Sequence, residues 1–150
     1  MDGVKKQEIV ELAQTYRLQN VIFLPYQPRE QMPRVLASAD TCLVILKAEK
    51  SKTTIQSKTY EILAMGKPII ASVDKDGDNW QLIENAQAGL WTKPSDPNDL
   101  ARKIRELYKD CALVETMGNN GKQYVEANNT IKIVGQRYQS ILAQQVQKTK

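Results

Sequence analysis

Apolar positions along the chain alternate between helical spacing and short uninterrupted runs. Val4 to Arg17 carries apolar residues at helical spacing, and the β-branched and aromatic run NVIFLP follows it as a predicted buried strand. The same succession recurs three times, as REQMPRVLASA and DTCLVIL, SKTYEILAM and KPIIAS, and DNWQLIENA and AGLWTK. Helices that alternate with uninterrupted apolar strands are typical of a parallel sheet covered on both faces. The pattern therefore predicts an α/β fold.

The third predicted helix has clear boundaries. It runs from Ser57 to Met65, and Gly66 follows as a C-terminal cap before the strand KPIIAS. Helical spacing predicts that its inward face consists of Tyr60, Leu63 and Ala64.

After AGLWTK the alternation stops and the chain is predicted to be helical to its end. Asp96 can cap the next helix and Pro97 suits its first position. Residues 111–127 are predicted to form two short helices interrupted around GNNG, and Thr130 can cap a long terminal helix. The expected buried positions are Leu100, Ile104, Leu107 and Tyr108 in the first of these helices, and Ile131, Val134, Tyr138, Ile141 and Leu142 in the last.

Composition narrows the class of protein. With 150 residues, 41% of them hydrophobic, residues 1–150 fit a single globular domain. The chain has no histidine, which excludes an imidazole base, a Ser/His/Asp triad and a His-ligated metal from this sequence. Cys42 and Cys111 lack metal-ligand spacing and are expected to be two buried thiols and not a disulfide.

Charge and hydropathy bear on partners and location. The net charge is +4, with 17 acids scattered among 21 bases, so no nucleic-acid partner is expected. The longest apolar runs are far shorter than the ~20 residues that cross a bilayer, and the N-terminus does not resemble a cleavable signal. The expected location is cytoplasmic.

Three loops follow predicted strands at the edge where ligands bind in open parallel sheets. They are PYQPRE (25–30), KAEKSKTTIQ (47–56) and VDKDGDN (73–79). The second is rich in lysine and hydroxyl groups and leads into the N-terminus of the Ser57 helix, whose amides and dipole attract phosphate. The alternative is that the cluster of Lys47, Lys50, Lys52 and Lys58 is only a solvated loop.

Glu61 lies one turn into the same helix. A carboxylate there would repel phosphate, but it can accept two hydrogen bonds from a ribose diol a few ångströms away. The alternative is a surface ion pair with Lys58, worth only ~0.2 to 0.5 kcal/mol. The residues alone leave both interpretations open.

The stretch SKTYEILAMGKPIIAS, continued by WQLIENAQAGLWTKPSDPNDLARKI, resembles the donor-binding, C-terminal lobe of retaining GT-B glycosyltransferases of the group 1 or family 4 type. NVIFLPYQPREQMPRVLASAD is similar to the strand, aromatic loop and helix that precede the next buried strand in that family. The resemblance extends from Gly3 to Tyr138. It implies a Rossmann-like parallel sheet with a helical C-terminal extension, which is half of a GT-B architecture.

The resemblance also implies roles for individual residues in binding a nucleoside-diphosphate sugar, such as a UDP- or GDP-sugar. Glu61 would bind the ribose hydroxyls, Ser57 and Lys58 would approach the diphosphate, and Tyr26 and Gln27 occupy the loop beside the base. Thr53 stands where many members have a second glutamate near the donor sugar, so this chain departs from the pattern there. No residue is assigned as catalytic, and neither a metal nor a cofactor is expected.

The start of the chain departs further. DGVKKQE resembles the end of the family's second strand, so the resemblance implies a lobe without its first strands and without the acceptor lobe, inactive alone. The acceptor, a glycan or lipid-linked sugar, would bind the missing lobe, and a peripheral position at the inner membrane face stays open. Open strand edges would favour self-association.

The expected function is retaining sugar transfer to a hydroxyl acceptor, in polysaccharide or glycolipid synthesis. Two alternatives stay open, because a doubly wound sheet hosts many functions. One is a non-catalytic α/β module that binds a nucleotide or a protein. The other is a sugar-nucleotide epimerase, which shares the two-lobe architecture.

Overall fold

A computed structural model describes residues 5–46 and 55–148, and the chain divides into two compact units, residues 1–34 and 35–150. The helices are α1 (Lys6–Thr15), α2 (Met32–Ala37), α3 (Ser57–Ala64), α4 (Asp78–Asn85), α5 (Pro97–Lys109), α6 (Cys111–Asn128) and α7 (Ile131–Lys148). The strands are β1 (Cys42–Ile45), β2 (Ile69–Ser72) and β3 (Gly89–Thr92). A 3-10 turn, Arg29–Gln31, precedes α2.

The first unit differs most from the predicted pattern. α1 forms where a helix was expected, although Val4 lies outside the described residues. The predicted strand NVIFLP is wrong, because residues 20–25 pair with none of the three described strands. Its apolar side chains are largely exposed, and Ile22 is 81% exposed. A strand is stable only through hydrogen bonds to a neighbouring strand, which an apolar run does not itself supply.

The second unit contains a three-stranded parallel sheet in the order β1-β2-β3. β2 is central and all four of its residues are buried. This confirms the predicted α/β fold. In β1, however, only Val44 is buried, whereas Leu43 and Ile45 are 42% and 53% exposed. The prediction that both faces of the sheet are covered is therefore wrong at β1, where one face is exposed within the described part of the chain.

α3 ends as the sequence predicts. Gly66 has a φ of +66°, which favours glycine, and its N–H donates to the Leu63 carbonyl at 2.9 Å. The Lys67 N–H donates to the Ile62 carbonyl at 3.2 Å, which completes a Schellman motif. The predicted inward face is wrong at Ala64, which is exposed, since the buried residues of α3 are Thr59, Ile62 and Leu63, with Tyr60 half-buried.

The predicted interruption around GNNG is wrong, because α6 is one continuous helix of 18 residues. Gly118 and Gly121 are buried and face α3 and the segment that follows it. A Cβ at Gly118 would lie 2.2 Å from the Gly66 carbonyl oxygen, and one at Gly121 would lie 2.9 Å from Leu63 Cδ2. These glycines therefore permit close packing of α6 and do not break it.

Caps were predicted better than buried faces in the C-terminal helices. The Asp96 carboxylate accepts hydrogen bonds from the Asn98 and Asp99 amides, and Thr130 Oγ1 accepts one from the Ile133 amide at 3.3 Å. Leu107 is buried and Leu100 half-buried, as expected in part. Val134 is half-buried. The remaining predicted inward positions are wrong, because these side chains are exposed: Ile104, Tyr108, Ile131, Tyr138, Ile141 and Leu142.

Exposure of α7 has a simple geometric reason. Its main contact among the described elements is with α6, so much of its surface is left without a neighbour. Apolar spacing indicates which face of a helix can be covered, but the spacing does not supply the covering element. None of the described helices is both long and apolar enough to cross a membrane.

Candidate functional site

The carboxyl ends of the three strands form one edge of the sheet. Ile45 pairs with Ser72, and Ser72 pairs with Thr92, so the strands end in register. α4 follows β2 at this edge after residues 73–77, and α3 begins at Ser57 after β1. Ligands of open parallel sheets bind beyond such an edge, so the starts of α3 and α4 are the candidate site.

The first two residues of α3 are exposed. Ser57 and Lys58 both face solvent, and Gln56 precedes them in an extended conformation without a side-chain capping bond. Gln56 Oε1 is buried and has no partner within residues 5–46 and 55–148. The amides of the first turn and the positive end of the helix dipole therefore have no side-chain cap from Gln56 and can attract an anion.

Glu61 is exposed on the same face of α3 as Ser57 and Lys58, because residues three and four apart on a helix are neighbours. The alternative of an ion pair between Glu61 and Lys58 is not observed in the described part of the chain. One carboxylate, one ammonium and one hydroxyl thus lie together on the outward face of α3.

A buried hydrogen bond joins the inward side of α3 to the first turn of α4. Thr59 Oγ1 donates to Asn79 Oδ1 at 2.8 Å, and both residues are fully buried. Neither residue was singled out by sequence reasoning. Helical spacing could have indicated Thr59, because it lies three residues before the buried Ile62 and four before the buried Leu63. Residues with this spacing share one face of a helix, so the Thr59 hydroxyl lies in the core.

The loop from β2 to α4 is fixed by several polar contacts. The Asp76 amide donates to Asp74 Oδ1 at 3.0 Å, and the Gly77 amide donates to the Asp74 carbonyl at 3.1 Å. Trp91 Nε1, from β3, donates to the Val73 carbonyl at 2.9 Å, and Lys75 Nζ lies 5.4 Å from the centre of the Trp91 ring. This distance allows a cation–π interaction, so Lys75 is held against β3. Sequence reasoning placed Trp91 in the predicted strand AGLWTK but gave it no role at the site.

Lys58, at the start of α3, affects the pKa of the Cys42 thiol. Burial raises the pKa of the Cys42 thiol, and the charges of Lys67 and Lys58 act in the opposite direction. Cys42 and Cys111 are both free, as expected, although Cys111 is exposed and not buried. The charges of Lys58 and Lys67 therefore both act on the thiol of half-buried Cys42.

The remaining predicted site residues lie in the first unit or outside the described residues. Tyr26 and Gln27 belong to the first unit, where Tyr26 is 71% exposed and Gln27 Nε2 donates to the Pro25 carbonyl at 3.0 Å. Thr53 lies outside the described residues, as do Lys47, Lys50 and Lys52. The observed candidate site therefore consists of Ser57, Lys58 and Glu61.

Comparisons with known proteins give the same region a family context. Residues 2–124 match the family model described as Glycosyl transferases group 1. The chain is 28% identical over 139 residues to the Bacillus subtilis protein YtcC, which is named as a glycosyltransferase, and the match covers 87% of this chain and 32% of that protein.

Solved structures show the same fold. Sucrose-phosphate synthase from Thermosynechococcus elongatus is similar with a TM-score of 0.77 and 28% identity over 95% of this chain and 36% of that one. Anabaena HepE, solved with UDP and with UDP-glucose, gives TM-scores of 0.76 and 0.73 at 22% and 21% identity, each over 91% of this chain and 36% of HepE.

The chain spans about a third of the length of these proteins, namely 32% of YtcC and 36% of both sucrose-phosphate synthase and HepE. The matched part includes the whole sheet and α3, with the exposed residues of the candidate site. The predicted Rossmann-like half of a GT-B architecture is confirmed by this likeness. The chain belongs to the glycosyl transferases group 1 family.

Proposed function

We propose that this chain forms the donor-binding lobe of a glycosyltransferase that transfers a sugar, with retention, from a nucleoside-diphosphate sugar to a hydroxyl acceptor. The observation that carries the proposal is the exposed outward face of α3, with Ser57, Lys58 and Glu61, inside the segment that matches the family. HepE, which has the same fold, was solved with UDP and with UDP-glucose. A UDP-sugar is accordingly the first donor to test.

In this proposal the start of α3 binds the diphosphate. The Ser57 and Lys58 amides, the helix dipole and the Lys58 ammonium would stabilise the negative charge that develops on the leaving group. Because they are fixed before the reaction, they need no reorganisation when the bond to the sugar breaks. Their role is electrostatic and not covalent.

Glu61 binds the ribose hydroxyls. Helix geometry places its Cα about 6 Å along the axis from that of Ser57, at about 1.5 Å per residue. This separation puts the carboxylate beyond the phosphate-binding amides, where a ribose diol attached to the diphosphate can donate to it. Glu61 orients the donor in this scheme and is not a general base.

The resemblance to the family implies roles for three further residues. Tyr26 and Gln27 would lie beside the base, and Thr53 near the donor sugar. The acceptor, a glycan or lipid-linked sugar of polysaccharide or glycolipid synthesis, would bind a second lobe.

The test is a titration of the chain with UDP, GDP and ADP, with Glu61→Gln as the diagnostic variant. Loss of a charge-assisted hydrogen bond corresponds to about 1.5 to 3 kcal/mol, so Glu61→Gln should weaken binding by about 10- to 150-fold. Glu115→Gln, at an exposed position on α6, is the matched control and should leave the affinity unchanged.

The outcomes separate the candidate functions. Saturable binding of one nucleotide, weakened only by Glu61→Gln, supports the donor lobe and identifies the base. Equal affinity for wild type and Glu61→Gln refutes the assigned role of Glu61. Absence of binding by all three nucleotides contradicts the proposal and favours a module that binds a protein.

A further inference from the structure

A buried polar pair lies directly beneath the candidate site. Thr59 and Asn79 are each 0% exposed, yet the surrounding buried residues of α3 and α4 are mainly apolar, among them Ile62, Leu63 and Ile83. Their side chains meet at 2.8 Å from Thr59 Oγ1 to Asn79 Oδ1. Burial of polar groups is tolerated only when they are hydrogen-bonded, so this bond is needed in the folded state.

The bond fixes geometry that apolar packing would leave adjustable. Apolar contacts are not directional, whereas a hydrogen bond constrains both distance and angle. Thr59 is the third residue of α3 and Asn79 the second residue of α4, so the bond joins the first turns of the two helices. The first turn of α3 also holds Ser57 and Lys58.

The opposite end of α3 is fixed separately. The Schellman bonds at Gly66 and Lys67 close it, and Gly118 packs closely against the Gly66 carbonyl. Loss of the bond at Thr59 would therefore displace the start of α3 more than its end. The phosphate-binding amides should be affected more than the end of the helix.

We propose that Thr59 and Asn79 are positioning residues, which hold the first turn of α3 in the orientation that binds the diphosphate of the donor. This inference rests on the proposed function. Neither side chain reaches the ligand, because both are fully buried, so they act through Ser57 and Lys58. The ligand that this arrangement favours is an anion, bound at the start of α3.

The test compares three changes at position 59. Thr59→Val removes the hydroxyl and nearly preserves the shape, Thr59→Ala removes it without adding bulk, and Thr59→Ser retains it. Each variant is titrated with UDP, or with GDP or ADP if one of these binds wild type more tightly. ³¹P NMR of the bound nucleotide reports on the diphosphate, and circular dichroism at the same temperature confirms that each variant is folded.

We expect Thr59→Val to weaken nucleotide binding about tenfold, which corresponds to about 1.4 kcal/mol, and to reduce the ³¹P shift change at saturation. Thr59→Ser should bind as wild type does. Thr59→Ala should repeat the effect of Val, and it decides the matter if the Val variant does not fold. A residue that only stabilised the fold would change the melting temperature but not the saturated ³¹P shifts.

Other outcomes overturn the inference. If folded Thr59→Val and Thr59→Ala bind like wild type while Glu61→Gln is weakened, the proposed function stands and the positioning role is wrong. If Thr59→Ser is weakened as much as Val, the hydroxyl is not responsible. If wild type binds no nucleotide, the proposed function fails and the inference fails with it.

Discussion

Replacement of Gly118 by alanine tests the packing that sets the position of α3. The added Cβ would lie 2.2 Å from the Gly66 carbonyl oxygen and 3.1 Å from the Gly66 carbonyl carbon. Both are backbone atoms of a Schellman motif, so neither can move aside as the end of a flexible side chain can. α6 must move away from the end of α3 by about 1 Å to restore an ordinary distance between the added Cβ and the Gly66 carbonyl oxygen.

The expected loss can be worked out from two opposing terms. Overpacking of a well-packed core costs about 3 kcal/mol at the upper end of its usual range. Alanine in place of glycine within a helix gains about 1 kcal/mol. The net loss is therefore about 2 kcal/mol, which lowers the melting temperature of a chain of this size by about 4 to 8 °C.

Gly135→Ala is the matched control, because Gly135 lies within α7 and nothing approaches its added Cβ within 4 Å. This variant should gain about 1 kcal/mol from helix propensity alone. Thermal and urea unfolding of both variants measure the difference. If Gly118→Ala is as stable as Gly135→Ala, then α6 does not pack closely against Gly66 and the reasoning is refuted.

Two further predictions concern charge and the sheet edge. Hydrogen bonding from the Lys93 amide, followed by that from Arg102, lowers the pKa of Asp99 below 3.8, so the stability it provides is present above this value and is lost as pH falls. The difference in unfolding free energy between wild type and Asp99→Asn should therefore shrink from about pH 5 to about pH 2, and a constant difference would contradict this origin. Ile45 is 53% exposed on β1, and β1 pairs only with β2 among the described strands. Ile45→Lys should therefore reduce self-association, measured by analytical ultracentrifugation. A wild-type chain that is monomeric at high concentration would exclude such association.

Local features of the fold were the most predictable from the sequence. The Asp96 cap, the Thr130 cap and the positive φ of Gly66 depend on one or two residues and their immediate neighbours. The strands β1, β2 and β3 were also found, because short apolar runs between helices are typical of parallel sheets. Each of these signals is contained in a few consecutive residues.

Features that depend on distant contacts were not predicted. Gly118 and Gly121 are usually unfavourable within a helix, and only the proximity of Gly66 and Leu63 shows why they occur in α6. Ile131 and Tyr138 have helical spacing but lie on an uncovered surface. The run NVIFLP has strand composition without a neighbour to pair with among the described strands.

In the candidate site, too, the local features were predictable and the distant contacts were not. Glu61, Ser57 and Lys58 lie within one short helix, so their common face followed from sequence spacing. The bond between Thr59 and Asn79 joins residues 20 positions apart, and no local pattern indicates that they meet. Resemblance to a family indicates which residues face a ligand more readily than which residues support them.

The contact between Trp91 and the Val73 carbonyl has an optical consequence. The chain has two tryptophans, and they differ in their surroundings. Trp91 donates its indole N–H to a backbone carbonyl, whereas the Trp80 N–H is buried and has no acceptor within the described ranges. Trp80 directly follows Asn79 in α4, and Trp91 holds the loop that leads to this helix. Intrinsic fluorescence, with Trp91→Phe to separate the two emitters, therefore reports on the carboxyl edge of the sheet without an added label.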